Sequence, residues 1–328
     1  MKLSKSLFLL LLSPMAFASV KSTTSFSLDN DGIFGVDQDY TNGIFFAYAS
    51  PALSSEHQVN RLSLADKQGG GGSIDKWEFS IGHKMWTPSD ISQTTPTPND
   101  RPYAGYFHAE LNYLSLHPQQ AVRYNLTLGT TGENALSEKA QKLVHSITGS
   151  TDPNGWEYQV DDYFAGSVGY QRHDLLMRSA NLTESNWEMS HIFEANAGNF
   201  RTDVASGVMF RYGSDLANTL GAASISTENP FHASMMGNSP YGWFVYTGLS
   251  TRYRFNDITL EGERSGLPEP SDQYDVTMQH WQSTAVAGVA LYNRRVGLSF
   301  ALSAKTPEYK EAPERIYGNG ALSLYAFF

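Results

Sequence analysis

Residues 318–328 close the 328-residue chain and read Gly-Asn-Gly-Ala-Leu-Ser-Leu-Tyr-Ala-Phe-Phe. The even-numbered positions are small or apolar and include Leu322, Leu324 and the terminal Phe328. Side chains of a β-strand alternate between two faces, so this pattern predicts a strand with one continuous apolar face.

The same alternation recurs earlier in the chain. Residues 122–128 and 296–304 carry an apolar side chain at every second position. Within residues 241–255 one face is apolar or aromatic, and the other carries glycine, serine and two arginines, Arg252 and Arg254. Arginine is costly against lipid but tolerated in a water-filled lumen. The pattern therefore predicts barrel strands with an apolar outside and a polar inside.

The composition agrees with membrane-spanning strands. The chain is 13% aromatic and only 17% charged, whereas a soluble domain has about 25% charged residues. After residue 18 no run of about 20 apolar residues could form a spanning helix. The formal net charge of -10 argues against nucleic-acid binding. The absence of cysteine excludes a disulfide framework, a thiol nucleophile and a zinc–thiolate site.

The number of strands follows from the alternating segments and the turns between them. The candidate strands are residues 24–31, 41–50, 74–83, 103–116, 121–130, 162–173, 186–199, 203–213, 241–255, 257–264, 276–293, 295–305 and 317–328. Bacterial barrels prefer an even number, and residues 257–264 have the weakest pattern, so we expect about twelve. A terminal strand that ends on phenylalanine also resembles the assembly signal of bacterial outer-membrane barrels. The predicted fold is an all-β, transmembrane antiparallel barrel.

The first residues have the features of a secretory signal. Two lysines precede an apolar run at 7–12, and residues 16–18 are a small-x-small cleavage site. We therefore predict a signal peptide over residues 1–18 and a single barrel domain over 19–328. The predicted location is the bacterial outer membrane.

One segment departs from the β pattern. Asn134 is a plausible N-cap and Gly149 a plausible C-terminal stop, which predicts a short loop helix near 135–148. Its apolar stripe consists of Leu136, Ala140, Leu143, Val144 and Ile147. Gln141 and His145 lie together on a face turned away from that stripe. A helix cannot be part of the barrel wall, so this one belongs to a loop or a plug.

Common hydrolase signatures are missing. The sequence contains no G-x-S-x-G elbow and no H-E-x-x-H zinc site, and the serine in 166–169 has the wrong spacing for the elbow. A serine-triad hydrolase is therefore not supported.

Two places remain as candidates for chemistry. Residues 29–43 concentrate carboxylates and amides at a strand–turn–strand junction and could hold a hard cation such as calcium. A plain polar turn explains the same residues. The second place is the helix with His145, which could accept a proton from water near neutral pH. A structural or merely exposed histidine is the alternative there.

Residues 30–43, Asn-Asp-x-x-Phe-x-x-Asp-x-x-Tyr-Thr-Asn-Gly, resemble the N-terminal signature of the lipid A 3'-O-deacylase family of outer-membrane barrels. Residues 100–105 and the helix with Gln141 and His145 resemble it as well. The resemblance implies a twelve-stranded barrel with a calcium-dependent site at its extracellular edge, between the wall and a loop helix. The implied activity is removal of the 3'-linked acyloxyacyl chain of lipid A.

The resemblance also assigns roles to particular residues. Asn30 and Asp31 match the polar active-site pair and would hold Ca²⁺, and Thr41 matches the active-site hydroxyl. His145 matches the general base, and Gln141 the polar helix residue one turn before it. Asp152 is the nearest candidate for an acidic metal ligand after the helix. Lys84 and Arg101 are the candidates for binding polar head groups of the substrate, although Arg101 equally fits a structural part of its turn.

Two other functions compete with lipid A deacylation. An outer-membrane phospholipase A would also be a calcium-using barrel, but it would need a serine nucleophile beside its histidine. A passive porin-like barrel would use the helix as a lumen plug. The partners expected on the first hypothesis are lipopolysaccharide and outer-membrane lipid, with the protein a monomer.

Overall fold

The structure is a computed structural model and describes residues 20–34, 38–65, 72–179, 186–237 and 241–328. The predicted signal peptide, residues 1–18, lies outside the described residues. So does Asp37, which belongs to the turn within residues 29–43 that we call the acidic turn.

Twelve antiparallel strands form a closed barrel in which each strand pairs with its neighbours along the chain. The strands are β1 (Thr23–Asn30), β2 (Asp39–Ala49), β3 (Ile74–Thr87), β4 (Ala104–His117), β5 (Gln120–Thr130), β6 (Phe164–Arg178), β7 (Asn186–Gly198), β8 (Arg201–Gly213), β9 (Gly242–Asp257), β10 (Trp281–Tyr292), β11 (Val296–Lys305) and β12 (Tyr317–Phe327). The last strand closes on the first, with Phe327 opposite Thr23. The predicted fold and strand number are confirmed.

The predicted strand at 257–264 is wrong. Residues Ile258–Glu261 form a short helix, α2, directly after β9. The carboxylate of Asp257 accepts a hydrogen bond from the backbone N–H of Thr259 at 3.0 Å. An aspartate that caps a helix in this way satisfies an amide that a strand would have paired with a neighbour. The chain therefore leaves the sheet at Asp257.

Alternation along the strands gives the barrel an apolar outside. The outward, exposed side chains include Phe46, Phe79, Leu111, Leu126, Val208, Leu249, Leu298 and Leu322. The side chains between them point into the lumen, where Arg252 and Arg254 pair with Asp203 and neighbouring carboxylates. This confirms that the two arginines of β9 face away from lipid. The outer belt is the surface that a bilayer would cover.

The antiparallel order places the connections at two opposite ends. Both chain ends lie at one end, which we call the terminal rim. The loops after β1, β3, β5, β7, β9 and β11 lie at the other end, which we call the site rim. The acidic turn and the predicted helix both belong to the site rim.

The lumen is occupied by residues 214–237 of the β8–β9 connection, which we call the plug segment. It leaves β8 at the terminal rim and contacts facing strands inside the barrel. Glu228 pairs with Lys84 of β3 and Arg201 of β8, and His232 lies 3.3 Å from Arg123 of β5. A polar cavity of about 200 Å³ remains beside it. The β8–β9 connection, which the sequence pattern did not indicate, therefore plugs the lumen. The predicted helix does not.

The predicted loop helix is present as α1 (Ser137–Thr148). In the part of the chain that the structure describes, no helix is long and apolar enough to cross a membrane.

Candidate active site between the barrel wall and helix α1

Helix α1 packs against the outer surface of the wall, over β3 and β4. His83 faces outward from β3, and its Nε2 lies 3.0 Å from the carbonyl oxygen of Ala135, just before the helix. On β4, a Cβ added at Gly105 would lie 2.1 Å from Ser137 Oγ. Glycine at this position therefore permits the close approach of helix and wall.

A residue with left-handed backbone conformation stands at each end of helix α1. A 3-10 turn, Gly132–Ala135, precedes it, and Leu136 has a left-handed φ of 59° at the N-cap position. The predicted N-cap, Asn134, lies inside that turn, where its backbone N–H donates to Asp162 at 3.0 Å. The prediction of Asn134 as N-cap is therefore wrong. The predicted stop is confirmed, because Gly149 has φ +74° and its N–H donates to the carbonyl of His145.

The burial of α1 is the reverse of that of a helix in a soluble protein. Its buried residues are Ser137, Gln141 and His145, spaced one turn apart on the face against the protein. Its apolar residues Leu143 and Ile147 are 62% and 77% exposed. The polar face is therefore held inside a site while the apolar face is presented outward.

His145 is held in one tautomer by the loop that follows the helix. Its Nδ1 lies 2.5 Å from the carbonyl oxygen of Thr151. A carbonyl only accepts, so Nδ1 carries the proton and the neutral ring has its lone pair on Nε2. This is the form of histidine that can remove a proton from water.

Gln141 is fixed by a single strong contact. Its Oε1 accepts a hydrogen bond from the indole N–H of Trp156 at 2.8 Å, and the side chain is 2% exposed. Its amide nitrogen is buried and has no hydrogen-bond partner among the residues described. Buried donors are rarely left unsatisfied in folded proteins. This amide is therefore a candidate to donate to a bound oxygen atom.

The acidic turn is held by its own backbone. Asp31 is buried and accepts from the N–H of Gln38 at 2.7 Å. Asn30 accepts from the N–H of Gly32 at 2.8 Å and donates to the carbonyl of Thr41 at 3.3 Å. The turn thus joins Asn30 to the backbone of Thr41 and holds the adjacent Asp31 by a backbone N–H.

The end of β3 connects this turn to the helix. Thr41 Oγ1 lies 2.6 Å from Oγ1 of Thr87, the last residue of β3. Two residues earlier, Met85 is buried with Tyr103 and Trp156, and Ala140 of α1 packs on that cluster. The same Trp156 holds Gln141. A continuous set of contacts therefore runs from Thr41 to the helix, on one rim of the barrel.

The oxygen atoms of Asn30 and Asp31 are of the kind that Ca²⁺ prefers. Among the described residues, however, no three histidine or acidic side chains are grouped to hold a metal ion. Asp152 is exposed. The donor chemistry of Asn30 and Asp31 therefore fits calcium, and Asp152 stays a predicted third ligand.

The two predicted substrate-binding cations lie elsewhere than the helix. Lys84 points into the lumen and pairs with Glu228 of the plug segment at 2.8 Å. Arg101 is buried under the site rim, where it pairs with Asp39 and, at 3.2 Å, with Glu308. Both cations are therefore already matched with carboxylates.

Arg101 belongs to a buried ion network beneath the site rim that sequence analysis did not indicate. Its centre is Glu308, which pairs with Lys305 at 2.9 Å and with Arg254 at 3.2 Å. Burial alone would raise the pKa of Glu308, but Lys305, Arg254 and Arg101 together lower that pKa well below its ordinary value. Its stabilising contribution is therefore present above the ordinary pKa of glutamate and is lost only as pH falls through the lowered value. Lys305 and Glu308 are three residues apart, but Arg254 and Arg101 are distant from them in sequence, so no local pattern could have revealed the network.

At helix α1, a serine lies beside a histidine, as a phospholipase of the serine type would require. Ser137 Oγ is 2.9 Å from His83 Nε2. The same nitrogen faces the carbonyl of Ala135, so it carries a proton and cannot accept one from the serine. Ser137 is therefore not activated as a nucleophile.

Fold and site together define a class: outer-membrane β-barrels with a polar site on the lipid-facing wall at one rim. The model of the outer membrane protein LpxR family matches residues 4–328, and the chain belongs to that family. This confirms the predicted resemblance to the lipid A 3'-O-deacylases and the outer-membrane location. Family membership supports an outer-membrane lipid A deacylase.

One solved structure agrees with this chain at the level of the fold. LpxR from Salmonella typhimurium is similar to this chain with a TM-score of 0.76 and 18% sequence identity, over 93% of this chain and 100% of that one. The β domain of the Bordetella autotransporter BrkA matches with a TM-score of only 0.43 and 10% identity, over 93% and 97% of the two chains. No curated protein sequence matches this chain.

Proposed function

We propose that the protein hydrolyses the 3'-linked acyloxyacyl ester of lipid A in the outer leaflet, in a reaction that depends on calcium. The observation that carries the proposal is His145, whose Nδ1 contact with Thr151 leaves Nε2 as the basic nitrogen. The site lies on the outer wall of the barrel and not in its lumen. A substrate whose acyl chains remain in the bilayer can reach such a site laterally, without moving those chains through water.

The chemistry assigned to the residues is direct attack by water. His145 Nε2 removes a proton from water as the oxygen bonds to the ester carbonyl carbon. The amide nitrogen of Gln141 donates to the carbonyl oxygen as negative charge develops there. When the carbon–oxygen bond to the sugar breaks, the imidazolium returns its proton to the leaving alkoxide. Water is thus added across one ester bond, and the products are the acyloxyacyl chain as its free acid and the free 3' hydroxyl.

Calcium belongs to the proposal through Asp31 and Asn30, with Asp152 as a further ligand. Bound Ca²⁺ would polarise the ester carbonyl as a Lewis acid. Thr41 is the polar hydroxyl beside this pair, fixed by Thr87. Asp152 follows Thr151, the residue that orients His145.

For Lys84 and Arg101, contact with polar head groups stays a prediction, because both side chains already pair with carboxylates of the barrel. Residues 1–18 are the proposed signal peptide, and the protein is proposed to act as a monomer. A porin-like role receives no support, because the plug segment occupies the lumen.

We expect the exposed apolar face of α1 to contact acyl chains at the membrane. Leu143→Gln combined with Ile147→Gln should raise KM for lipid A in vesicles by about tenfold or more, because each leucine or isoleucine buried from water contributes roughly 1.5–3 kcal/mol. The value of kcat should change little, since neither residue lies on the face with His145. Ser146→Gln, on the polar exposed side of the same helix, should leave KM unchanged. An unchanged KM in the double variant would contradict the contact.

The substrate class is tested by competition. Purified folded protein is mixed with lipid A and a glycerophospholipid in the same detergent micelles with calcium, and the released fatty acids are identified. We expect every released acyl chain to come from lipid A and none from the glycerophospholipid. Release from the glycerophospholipid alone would favour the phospholipase alternative.

A further inference from the structure

We propose that Asp29 is a positioning residue for the acidic turn and that the plug segment holds Asp29 from inside the barrel. On this view the β8–β9 connection, which enters from the terminal rim, keeps the site on the opposite rim in its active geometry. The inference rests on the proposed deacylation, and it assigns a catalytic purpose to a segment that would otherwise only close the lumen.

Asp29 is fully buried on the lumen side of β1, directly before Asn30 and Asp31. Its Oδ2 accepts two hydrogen bonds, from the hydroxyl of Tyr40 at 2.8 Å and from the backbone N–H of Asn229 at 2.6 Å. Tyr40 directly precedes Thr41. One carboxylate oxygen therefore ties together both strands that carry the acidic turn and the tip of the plug segment.

The backbone repeats this connection. The carbonyl oxygen of Asp29 accepts from the side-chain amide of Asn42 at 3.0 Å. Asp29 and Asn30 pair with Gly43 and Asn42 across the β1–β2 ladder. Between Tyr40 and Asn42 the pairing of β2 with β3 is interrupted by a bulge at Thr41. A bulge frees Thr41 from the regular ladder, so its direction depends on these neighbouring contacts.

The tip of the plug segment is itself firmly held. Glu228 pairs with Lys84 and Arg201 on strands from different sides of the barrel. The carbonyl of Thr227 accepts from Asn319 of β12 at 3.1 Å. These anchors fix where the N–H of Asn229 points, and with it the carboxylate of Asp29. The ion pair of Lys84 with Glu228 thus helps to hold the plug tip and, through the plug tip, the acidic turn.

The test compares two tyrosine–carboxylate hydrogen bonds at opposite ends of the barrel. Tyr40→Phe removes the hydroxyl that donates to Asp29 and leaves every ring contact in place. Tyr113→Phe is the matched control, because its hydroxyl donates to Asp75 at 3.0 Å near the terminal rim. Asp29→Asn keeps the size of the side chain and removes its charge. Glu228→Gln weakens the anchors of the plug tip without touching the turn.

We expect Tyr40→Phe, Asp29→Asn and Glu228→Gln each to lower kcat for lipid A by about 10- to 100-fold, because misplacement of a reacting group by about 1 Å has effects of that size. KM should stay within about twofold, and the thermal midpoint of Tyr40→Phe should match that of Tyr113→Phe. If Tyr40→Phe only loses thermal stability and keeps the kcat of the folded protein, Asp29 is structural and the inference is overturned.

A second measurement does not depend on activity. Amide hydrogen exchange in residues 38–42 should be faster in Tyr40→Phe and Glu228→Gln than in the unaltered protein, and unchanged in Tyr113→Phe. Unchanged exchange in Glu228→Gln would overturn the link to the plug segment. If the unaltered protein fails to deacylate lipid A, the proposed function fails, while the exchange result still decides whether the plug holds the turn.

Discussion

His145→Ala should lower kcat for lipid A deacylation by about 10²- to 10⁴-fold, the contribution usual for a general base. The alanine variant retains the turn and the helix but has no group to remove the proton from water. The rate is measured by release of the acyloxyacyl chain from lipid A in detergent. Folding is checked separately, by the shift in gel mobility between heated and unheated barrel.

The matched control is His117→Ala, the same substitution at the end of β4 on the terminal rim. His117 accepts a hydrogen bond from the backbone N–H of Gln119 and lies at the opposite end of the barrel from α1. Its kcat should stay within about twofold of the unaltered protein, since no proton transfer is lost. A folded His145→Ala variant that kept most of its activity would remove the general base from the proposed mechanism.

Arg101→Ala should lower the free energy of unfolding by about 3–5 kcal/mol, the cost of removing one partner from a buried ion pair. The substitution leaves the buried carboxylates of Asp39 and Glu308 with one cation fewer, and it also opens the space of a large buried side chain. The measurement is urea-induced unfolding in detergent, followed by tryptophan fluorescence.

Lys142→Ala is the control for loss of a positive charge. Lys142 forms an exposed pair with Glu138 one turn earlier on α1. An exposed pair of this kind contributes about 0.3–0.5 kcal/mol, so the unfolding curve should barely move. If Arg101→Ala were as stable as Lys142→Ala, the network beneath the site rim would not hold this end of the barrel together.

The barrel could be predicted because the pattern of a barrel strand is contained in its own residues. Apolar and polar side chains alternate within each strand, as in the terminal segment that ends on Phe328, so no distant contact is needed to recognise it. The exception is the segment after Asp257, where a side-chain cap replaces the next ladder hydrogen bond. A single aspartate decided between strand and helix there, and a pattern of apolar positions does not register such a cap.

The spacing of apolar residues predicted the extent of helix α1 but not which of its faces lies against the barrel wall. The spacing of its apolar residues gave the stripe that contains Leu143 and Ile147, and a stripe of this kind usually faces the protein. At a membrane the outside is apolar as well, so the polar face could turn inward. His145 and Gln141 are buried for that reason, an orientation that the apolar stripe alone did not predict and that only the family resemblance implied.

The plug segment and the ion network could not be predicted from local patterns. Glu228 meets Lys84 across 144 positions of sequence, and Arg101 meets Glu308 across 207. Such pairs form only when the closed barrel brings distant strands together. For the same reason the sequence could not indicate that Lys84 pairs with Glu228 inside the lumen.

The most direct test of calcium-dependent deacylation is the mass of lipid A after incubation with the purified, folded barrel, with calcium in one sample and a chelator in the other. We expect loss of the 3'-linked acyloxyacyl chain in the calcium sample and an unchanged mass in the chelator sample. An unchanged mass in both samples, or loss of an acyl chain from another position, would contradict it.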